Sequence, residues 1–389
     1  MQMTIELTEE QQTAVDAIVR TLNTPGGRLT LGGLAGVGKT VLINYAVERV
    51  QNQKEPKPLN VAISAFTGKA CSVLKSKGVS KAQTLHSLLY NVNEYQGRVT
   101  FTLKPRLLDQ NDQKVDAVIV DEASMLNTQL YDDLMSFGLP VVFVGDHGQL
   151  EPIGDNPNVM ADPDIKLEKI HRQAAGSPII KLAHAFREGK PINWASVPKN
   201  CGLSYLRRHE AMAKAHEFDM VICGFNNTRV YCNDAIRAKH GYQDEVVDGE
   251  RIIILRNNRN LGIYNGLILT VKKVIGERVV ENLDKVQRNC WELEVENDAG
   301  QTFRMVAYRL GPKEKPMDIN VKFYRSDEAE YPSEMALFDY GYALTVWKAQ
   351  GSQSDSVLVI AEIHPDNDPK RWSYTAATRA AKTLAWCQG

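Results

Sequence analysis

The sequence predicts an α/β protein with two sizeable cores and small β insertions. Three observations predict it. Short apolar runs, mostly β-branched, alternate with stretches of helical spacing, as expected of parallel strands buried on both faces. At 389 residues the chain is long enough for more than one core. The run Gly33-Leu34-Ala35-Gly36-Val37-Gly38-Lys39-Thr40 fits G-x-x-x-x-G-K-[ST], a pattern that sits where a strand enters a phosphate-binding loop and a helix leaves it.

The elements follow in order. Glu9–Leu22 has helical spacing of apolar residues. Leu29–Leu31 reads as the strand entering the loop, and Val41–Val47 as the helix leaving it, with its positive end at the phosphates. Strands are expected at Val61–Ser64, Ala117–Val120 and Val141–Val144, then a helix at Ser177–Arg187. Strands at Asp219–Cys223, Arg251–Leu255 and Val357–Ile360 complete the alternation, which argues for α/β layers. Two stretches break the rhythm. Residues 91–114 alternate around Val99–Leu103 and predict an inserted β-hairpin. Residues 270–335 carry Trp291–Glu296, the turn Asn297-Asp298-Ala299-Gly300 and Thr302–Val306, a hairpin signature inside a barrel-like β insertion.

Composition excludes several classes. Apolar content of 43% and charged content of 24% are those of a globular domain. No apolar run approaches the roughly 20 residues that span a bilayer, and Met1–Glu6 lacks the features of a signal peptide. Six scattered cysteines, with no C-x-x-C pair, read as reduced thiols of a cytosolic protein. Cys223 and Cys232 lack the second pair that a zinc site needs. A net charge of −1 gives no sign of a nucleic-acid binder, but leaves room for a local basic groove.

The chemistry concentrates at strand ends. Gly33, Gly36 and Gly38 let the backbone turn so that N–H groups converge on one anion. Lys39 supplies charge for the β- and γ-phosphates, and Thr40 a hydroxyl for Mg²⁺. Asp121 and Glu122 follow a buried strand: Asp121 suits the metal and Glu122 a general base, although an acidic helix start would look the same. Gln149, in the polar loop after Val141–Val144, suits a γ-phosphate sensor. Arg172 and Arg379 are of the type that phosphoryl transfer needs for cationic stabilisation, although a single arginine is far more often a surface residue and spacing alone does not pick out these two.

In this order the motifs resemble the superfamily 1 helicases, within them the RecD/Dda-like 5′→3′ branch, from Leu7 to about Lys382. Leu7–Ala14 looks like the glutamine motif, in which Gln11 would read adenine. Ala65-Phe66-Thr67-Gly68-Lys69-Ala70 is similar to the next motif, with Phe66 where proline is usual. Thr84–Leu89 is similar to the following strand-contact motif, Asp121–Met125 to the metal and base motif, and Gly145–Leu150 to the sensor motif. Ile170–Gln173 resembles the first arginine finger. Thr345–Ser352 resembles the motif joining DNA contacts to the nucleotide, with Trp347 where histidine is common. Tyr374–Arg379 resembles the last motif.

The resemblance implies two RecA-like lobes, residues 1–174 and residues 175–274 with 336–389, and ATP in the cleft between them. Gln11, Gly33, Ala35, Gly36, Val37, Gly38, Lys39, Thr40 and Gly351 would hold the nucleotide. Thr40 and Asp121 would hold Mg²⁺, and Lys39, Glu122, Gln149, Arg172 and Arg379 would act in hydrolysis. Thr67, Lys69, Thr84, His86, Thr345, Trp347 and Lys348 would contact nucleic acid; Trp347 reads equally as a base-stacking platform or a core residue. The hairpin at 91–114 would be a strand-splitting pin, with Tyr95 or Phe101 as wedge or as packing, braced by an SH3-like insertion at 275–335. Expected partners are single-stranded DNA, forked or tailed duplex, and single-strand-binding or replication and recombination proteins, in a bacterial or phage-infected cytoplasm. With only Met1–Glu6 before the first motif and Ala380–Gly389 after the last, the chain reads as a near-minimal motor.

Overall fold

The β-branched runs of the first half assemble into a parallel sheet. This is a computed structural model that describes residues 7–66, 68–95, 98–109, 111–151, 157–169, 176–198, 200–243, 245–256, 258, 263, 265–281, 287–297, 300, 302–309 and 335–388. The first strands in chain order are β1 (Arg28–Gly33), β2 (Val61–Ala65), β3 (Gln83–Thr84), β4 (Tyr90–Tyr95), β5 (Arg98–Leu103), β6 (Ala117–Asp121), β7 (Val141–Gly145) and β8 (Ile165–Leu167). Six of them form one sheet in the order β3-β2-β6-β7-β1-β8, parallel throughout, while β4 and β5 pair antiparallel with each other alone. Every residue of β2, β6 and β7 is buried, because helices cover both faces. Those helices are α1 (Glu9–Leu22), α2 (Lys39–Asn52), α3 (Gly68–Ser76), α4 (Leu85–Leu89) and α5 (Thr128–Met135). A capping box sets the start of α1: Thr8 accepts from the Gln11 backbone and the Gln11 side chain accepts from Thr8. Its buried stripe is Ala14, Val15, Ile18 and Leu22.

The second half holds two more sheets. Its strands are β9 (Leu203–Tyr205), β10 (Met220–Cys223), β11 (Arg251–Ile254), β12 (Ile268–Glu281), β13 (Gln287–Asn297), β14 (Thr302–Tyr308), β15 (Met335–Ala336), β16 (Phe338–Tyr340), β17 (Ala343–Thr345), β18 (Ser354–Ala361) and β19 (Ala380–Gln388). The order β17-β10-β18-β19-β9 is parallel and carries helices α6 (Pro178–Glu188), α7 (Arg208–Lys214), α8 (Asn226–Lys239) and α9 (Pro369–Ala377). Ser177 and Asp368 cap α6 and α9, each followed by proline at the first helical turn. The third sheet, β15-β14-β13-β12-β11-β16, is antiparallel apart from β14–β15, and buries its own core of Ile252, Ile254, Leu269, Val271, Leu293, Val295 and Met305. Two buried ion pairs fasten α8 to that sheet's root, Arg229 to Asp339 and Arg237 to Glu250, with Arg237 also over the Tyr340 ring. Removing one partner of such a pair strands the other in the interior.

The structure revises several expectations. Arg251–Leu255 was expected among the strands buried on both faces in the second lobe, and the observed strand is Arg251–Ile254. It pairs antiparallel with β12 and β16 instead, so the third sheet draws on residues 251–340, wider than the expected 275–335. A short β-branched run reads the same in either setting, since both bury it. The hairpin strands, 90–95 and 98–103, occupy the first part of the expected 91–114. β19 is a strand that sequence reasoning did not foresee; it is Ala-rich and carries little β-branched signal, yet it pairs along β18. All six cysteines are free, and no cluster of metal-binding side chains occurs among the described residues. Among those residues, no helix is long and apolar enough to cross a membrane.

One continuous buried cluster runs through both parallel sheets, from Leu31, Leu42 and Leu150 to Trp372, Tyr374 and Trp386. The two parallel sheets therefore share packed side chains in one core.

Candidate nucleotide site between the lobes

β1 ends at Gly33 and α2 begins at Lys39, so the loop between them must reverse in five residues. Gly36 and Gly38 make the turn with φ of 86° and 85°, a region that costs any residue with a Cβ. Gly33 is required for a different reason: a Cβ there would lie 2.8 Å from Val37 Cγ2 and 2.9 Å from Lys39 Cγ. The Lys39 ammonium curls back and donates to the Gly33 carbonyl at 2.6 Å. Thr40 follows on the first turn of α2. Gln11 is buried beside the loop; its Nε2 donates to the Val37 carbonyl at 3.0 Å and its Oε1 accepts from Thr8 N–H at 3.0 Å.

Asp121 closes β6, buried, and its Oδ1 accepts the Glu122 N–H at 3.0 Å. Burial first, and the neighbouring Glu122 carboxylate second, push the Asp121 carboxyl up from 3.8 to about 6; Lys39 opposes both. Glu122 adopts φ 53°, a left-handed conformation unusual for glutamate, and its Oε2 is buried with no hydrogen-bond partner. Two crowded carboxylates, one with an orphaned oxygen, beside a lysine and a cradle of glycine turns fit a triphosphate with a divalent cation. Thr40 and Asp121 supply the oxygen donors that a hard cation takes.

The opposite wall comes from the second lobe. Arg379 is 4% exposed and donates to the carbonyls of Thr375 at 3.1 Å and Ser352 at 3.3 Å and to Thr378 Oγ1 at 3.0 Å. Burial draws its affinity for the proton down, and the Glu122 and Asp146 carboxylates facing it pull the other way. Gly351, φ 69°, turns the chain just before Ser352. Gln149 is buried, its Nε2 3.2 Å from Asp146 Oδ2. Arg172, the other expected finger, lies outside the described residues.

Contacts unforeseen in the sequence join the polar loop after β7 to α9 and to the segment after β17. Leu150 donates its N–H to Thr375 Oγ1 at 2.8 Å, and its carbonyl accepts from Gln350 Nε2 at 2.8 Å. Arg371 pairs with Glu151 at 2.6 Å. The Tyr374 hydroxyl accepts from Ala35 N–H at 2.7 Å and donates to Asp146 Oδ2 at 2.8 Å. The only sequence signal for these was that Ala35, Asp146, Leu150, Gln350, Tyr374 and Thr375 fall within motifs already singled out; Glu151 and Arg371 do not.

The expected strand-contact residues divide. Thr84 uses its hydroxyl to cap α4, accepting from Ser87 N–H at 3.2 Å, and His86 stands edge-on to Phe66 with ring centres 6.4 Å apart. Thr345 is buried at the end of β17. Trp347 is half-buried and packs against the shared core, so the ring is partly covered and partly open. Lys348 is half-buried near Arg229 and Asp339, and burial draws its ammonium pKa down. Thr67 and the side chains of Lys69, Tyr95 and Phe101 lie outside the described residues.

With this geometry in place, comparison with known proteins is informative. A family model described as an AAA domain matches residues 6–203, half of the chain, and one described as a UvrD-like helicase C-terminal domain matches residues 340–385. The chain is 26% identical over 404 residues to the ATP-dependent RecD2 DNA helicase of Deinococcus radiodurans, across 96% of this chain and 48% of that protein. It is 28% identical over 198 residues to the ATP-dependent DNA helicase dda of Enterobacteria phage T4, across 48% of this chain and 43% of that protein. It thus spans about half the length of these curated relatives, or less. Among solved structures, Pif1 helicase from Bacteroides in complex with ADP-AlF3 and ssDNA matches with a TM-score of 0.55 at 19% identity, across 98% of this chain and 92% of that one. Pif1 helicase from Candida albicans matches at 0.52 and 15% identity, across 99% and 94%. At such identities the likeness speaks for the fold, and the family models and curated relatives supply the rest: the chain belongs to the superfamily 1 helicases, in their RecD/Pif1-like branch, superfamily 1B.

Proposed function

We propose that this chain is an ATP-dependent DNA helicase that moves 5′→3′ along single-stranded DNA and opens duplex ahead of it. The observation that carries the reading is the split site: a phosphate loop and carboxylate pair on one lobe, and a buried Arg379 on the other, facing Glu122 across the cleft. Bound ATP with Mg²⁺ supplies a phosphoanhydride whose hydrolysis yields ADP and phosphate. Thr40 and Asp121 would hold the cation, and Glu122 would take the proton of the attacking water through its unpartnered Oε2. Lys39 exchanges the Gly33 carbonyl for phosphate oxygen, and Arg379 with Arg172 neutralises charge developing on the transferred group. A site completed by two lobes couples hydrolysis to their closure, which is how stepping is driven.

Thr67, Lys69, Thr84, His86, Thr345, Trp347 and Lys348 form the track for the strand. Residues 1–174 act as the first lobe and residues 175–274 with 336–389 as the second. The β4–β5 hairpin is the pin, braced by the third sheet as an SH3-like module. Strand displacement on duplexes with a 5′ or a 3′ tail, with Lys39→Ala as control, tests this. Unwinding from the 5′ tail alone is expected. Strand-stimulated ATPase without displacement on either substrate would instead make the chain a remodeller of nucleoprotein, and ATPase indifferent to single strands would overturn the motor reading.

A further inference from the structure

The phosphate loop and the sensor glutamine both belong to the first lobe, yet the atom that joins them belongs to the second. Tyr374 is fully buried within α9. A phenol has one proton to give, and here it goes to Asp146 Oδ2 at 2.8 Å, so the oxygen's lone pairs are left to accept the Ala35 N–H at 2.7 Å. Asp146, 1% exposed, spends its remaining capacity on the sensor loop, with Oδ1 accepting from Gly148 N–H at 2.9 Å and Oδ2 from Gln149 Nε2 at 3.2 Å. The ring is equally constrained. A Cβ at Gly148 would lie 3.0 Å from Tyr374 Cε1, and His184 packs edge-on with ring centres 6.2 Å apart. Burial and the Asp146 charge both hold the phenol in its protonated form, which keeps the direction of the chain of bonds fixed.

We propose that Tyr374 is a positioning residue through which the second lobe holds Gln149 in register with the phosphate loop. Its hydroxyl aligns the sensor only while the lobes are closed, so hydrolysis waits for closure even when the nucleotide is bound. Thr375 and Gln350 fix only the Leu150 backbone; among the described residues Tyr374 alone bridges both loops. The inference rests on the motor reading above.

Tyr374→Phe keeps the ring and removes only the bridge. In the full chain, with saturating oligothymidylate and varied ATP, we expect KM for ATP within about threefold of wild type and kcat lowered roughly tenfold, the scale of one buried hydrogen bond acting in the transition state. Hydrogen exchange of the Gly148 and Gln149 amides should quicken at unchanged global stability. Wild-type kcat in the variant, or a fall in kcat that merely tracks a fall in denaturation midpoint, overturns the proposal and leaves the motor reading standing. A wild-type chain without strand-stimulated ATPase overturns both.

Discussion

Asp121→Asn should make the nucleotide-free protein more stable while disabling it. The wild-type carboxyl is buried beside Glu122, and its pKa stands at about 6 against 3.8 for an ordinary aspartate. The native state thus binds this proton more tightly than the unfolded chain does. The resulting stabilisation is complete below pH 3.8 and is lost as pH rises to about 6. At pH 7.5 the folded protein carries an ionised, buried carboxylate that it would be more stable without. At about 1.4 kcal/mol per pH unit the full penalty is ~3 kcal/mol, and since Glu122 shares it and Lys39 offsets part, the gain on substitution should be about 1–3 kcal/mol. Asparagine keeps an Oδ1 to accept the Glu122 N–H. Urea denaturation at pH 7.5 and at pH 5 measures both quantities. The variant should be the more stable at pH 7.5, with the gap roughly halved at pH 5, because the unfolded aspartate is still ionised there, and closing only below pH 3.8. Adding Mg²⁺ and ATP should reverse the order by stabilising wild type alone. A variant no more stable than wild type at pH 7.5, or a gap indifferent to pH, would refute the reasoning.

Glu122→Gln should retain ATP affinity but lose roughly 10²–10⁴-fold in kcat, as measured in steady-state ATPase with oligothymidylate. Trp347→Ala should weaken single-strand affinity about tenfold by fluorescence anisotropy and lower stability by ~2 kcal/mol, because the half-buried ring serves both the surface and the core. Unchanged affinity in a folded variant ends the stacking role. Gly224→Ala should destabilise by roughly 3 kcal/mol or more in the same urea assay, since its Cβ would fall 1.6 Å from the Glu362 carbonyl oxygen, a backbone atom that cannot swing aside.

What the sequence revealed and what it hid follow one physical line. Gly33–Thr40 was legible because one phosphate needs its donors on one short loop, so the chemistry is written contiguously. Asp121 and Glu122 were legible because a buried strand ends just before them. The bonds that join the lobes were hidden, since Ala35 and Tyr374 lie 339 residues apart and Leu150 and Thr375 lie 225 apart. No periodicity encodes a contact of that span. β8 and β9 were missed for brevity, three residues each, and β19 because it carries almost no β-branched residue to mark it. Arg251–Ile254 was recognised as a strand but placed in the wrong sheet, because local apolarity reports burial and carries no pairing partner.

The lysine of the phosphate loop has a consequence for product release. Lys39 Nζ already donates to the Gly33 carbonyl 2.6 Å away and, at 3.4 Å, to the Leu34 carbonyl. An incoming anion gains only the difference between a phosphate oxygen and a peptide oxygen, so weakly held monoanions meet an internal competitor at effectively high local concentration. Triphosphate, gripped at several points, outbids that competitor. On the proposed reading, free phosphate left after cleavage would not, and Lys39 would return to the Gly33 carbonyl as the product departs. On that reading the cradle would discriminate by the number of points held more than by charge, which would let one site bind substrate firmly and still shed what it makes of it.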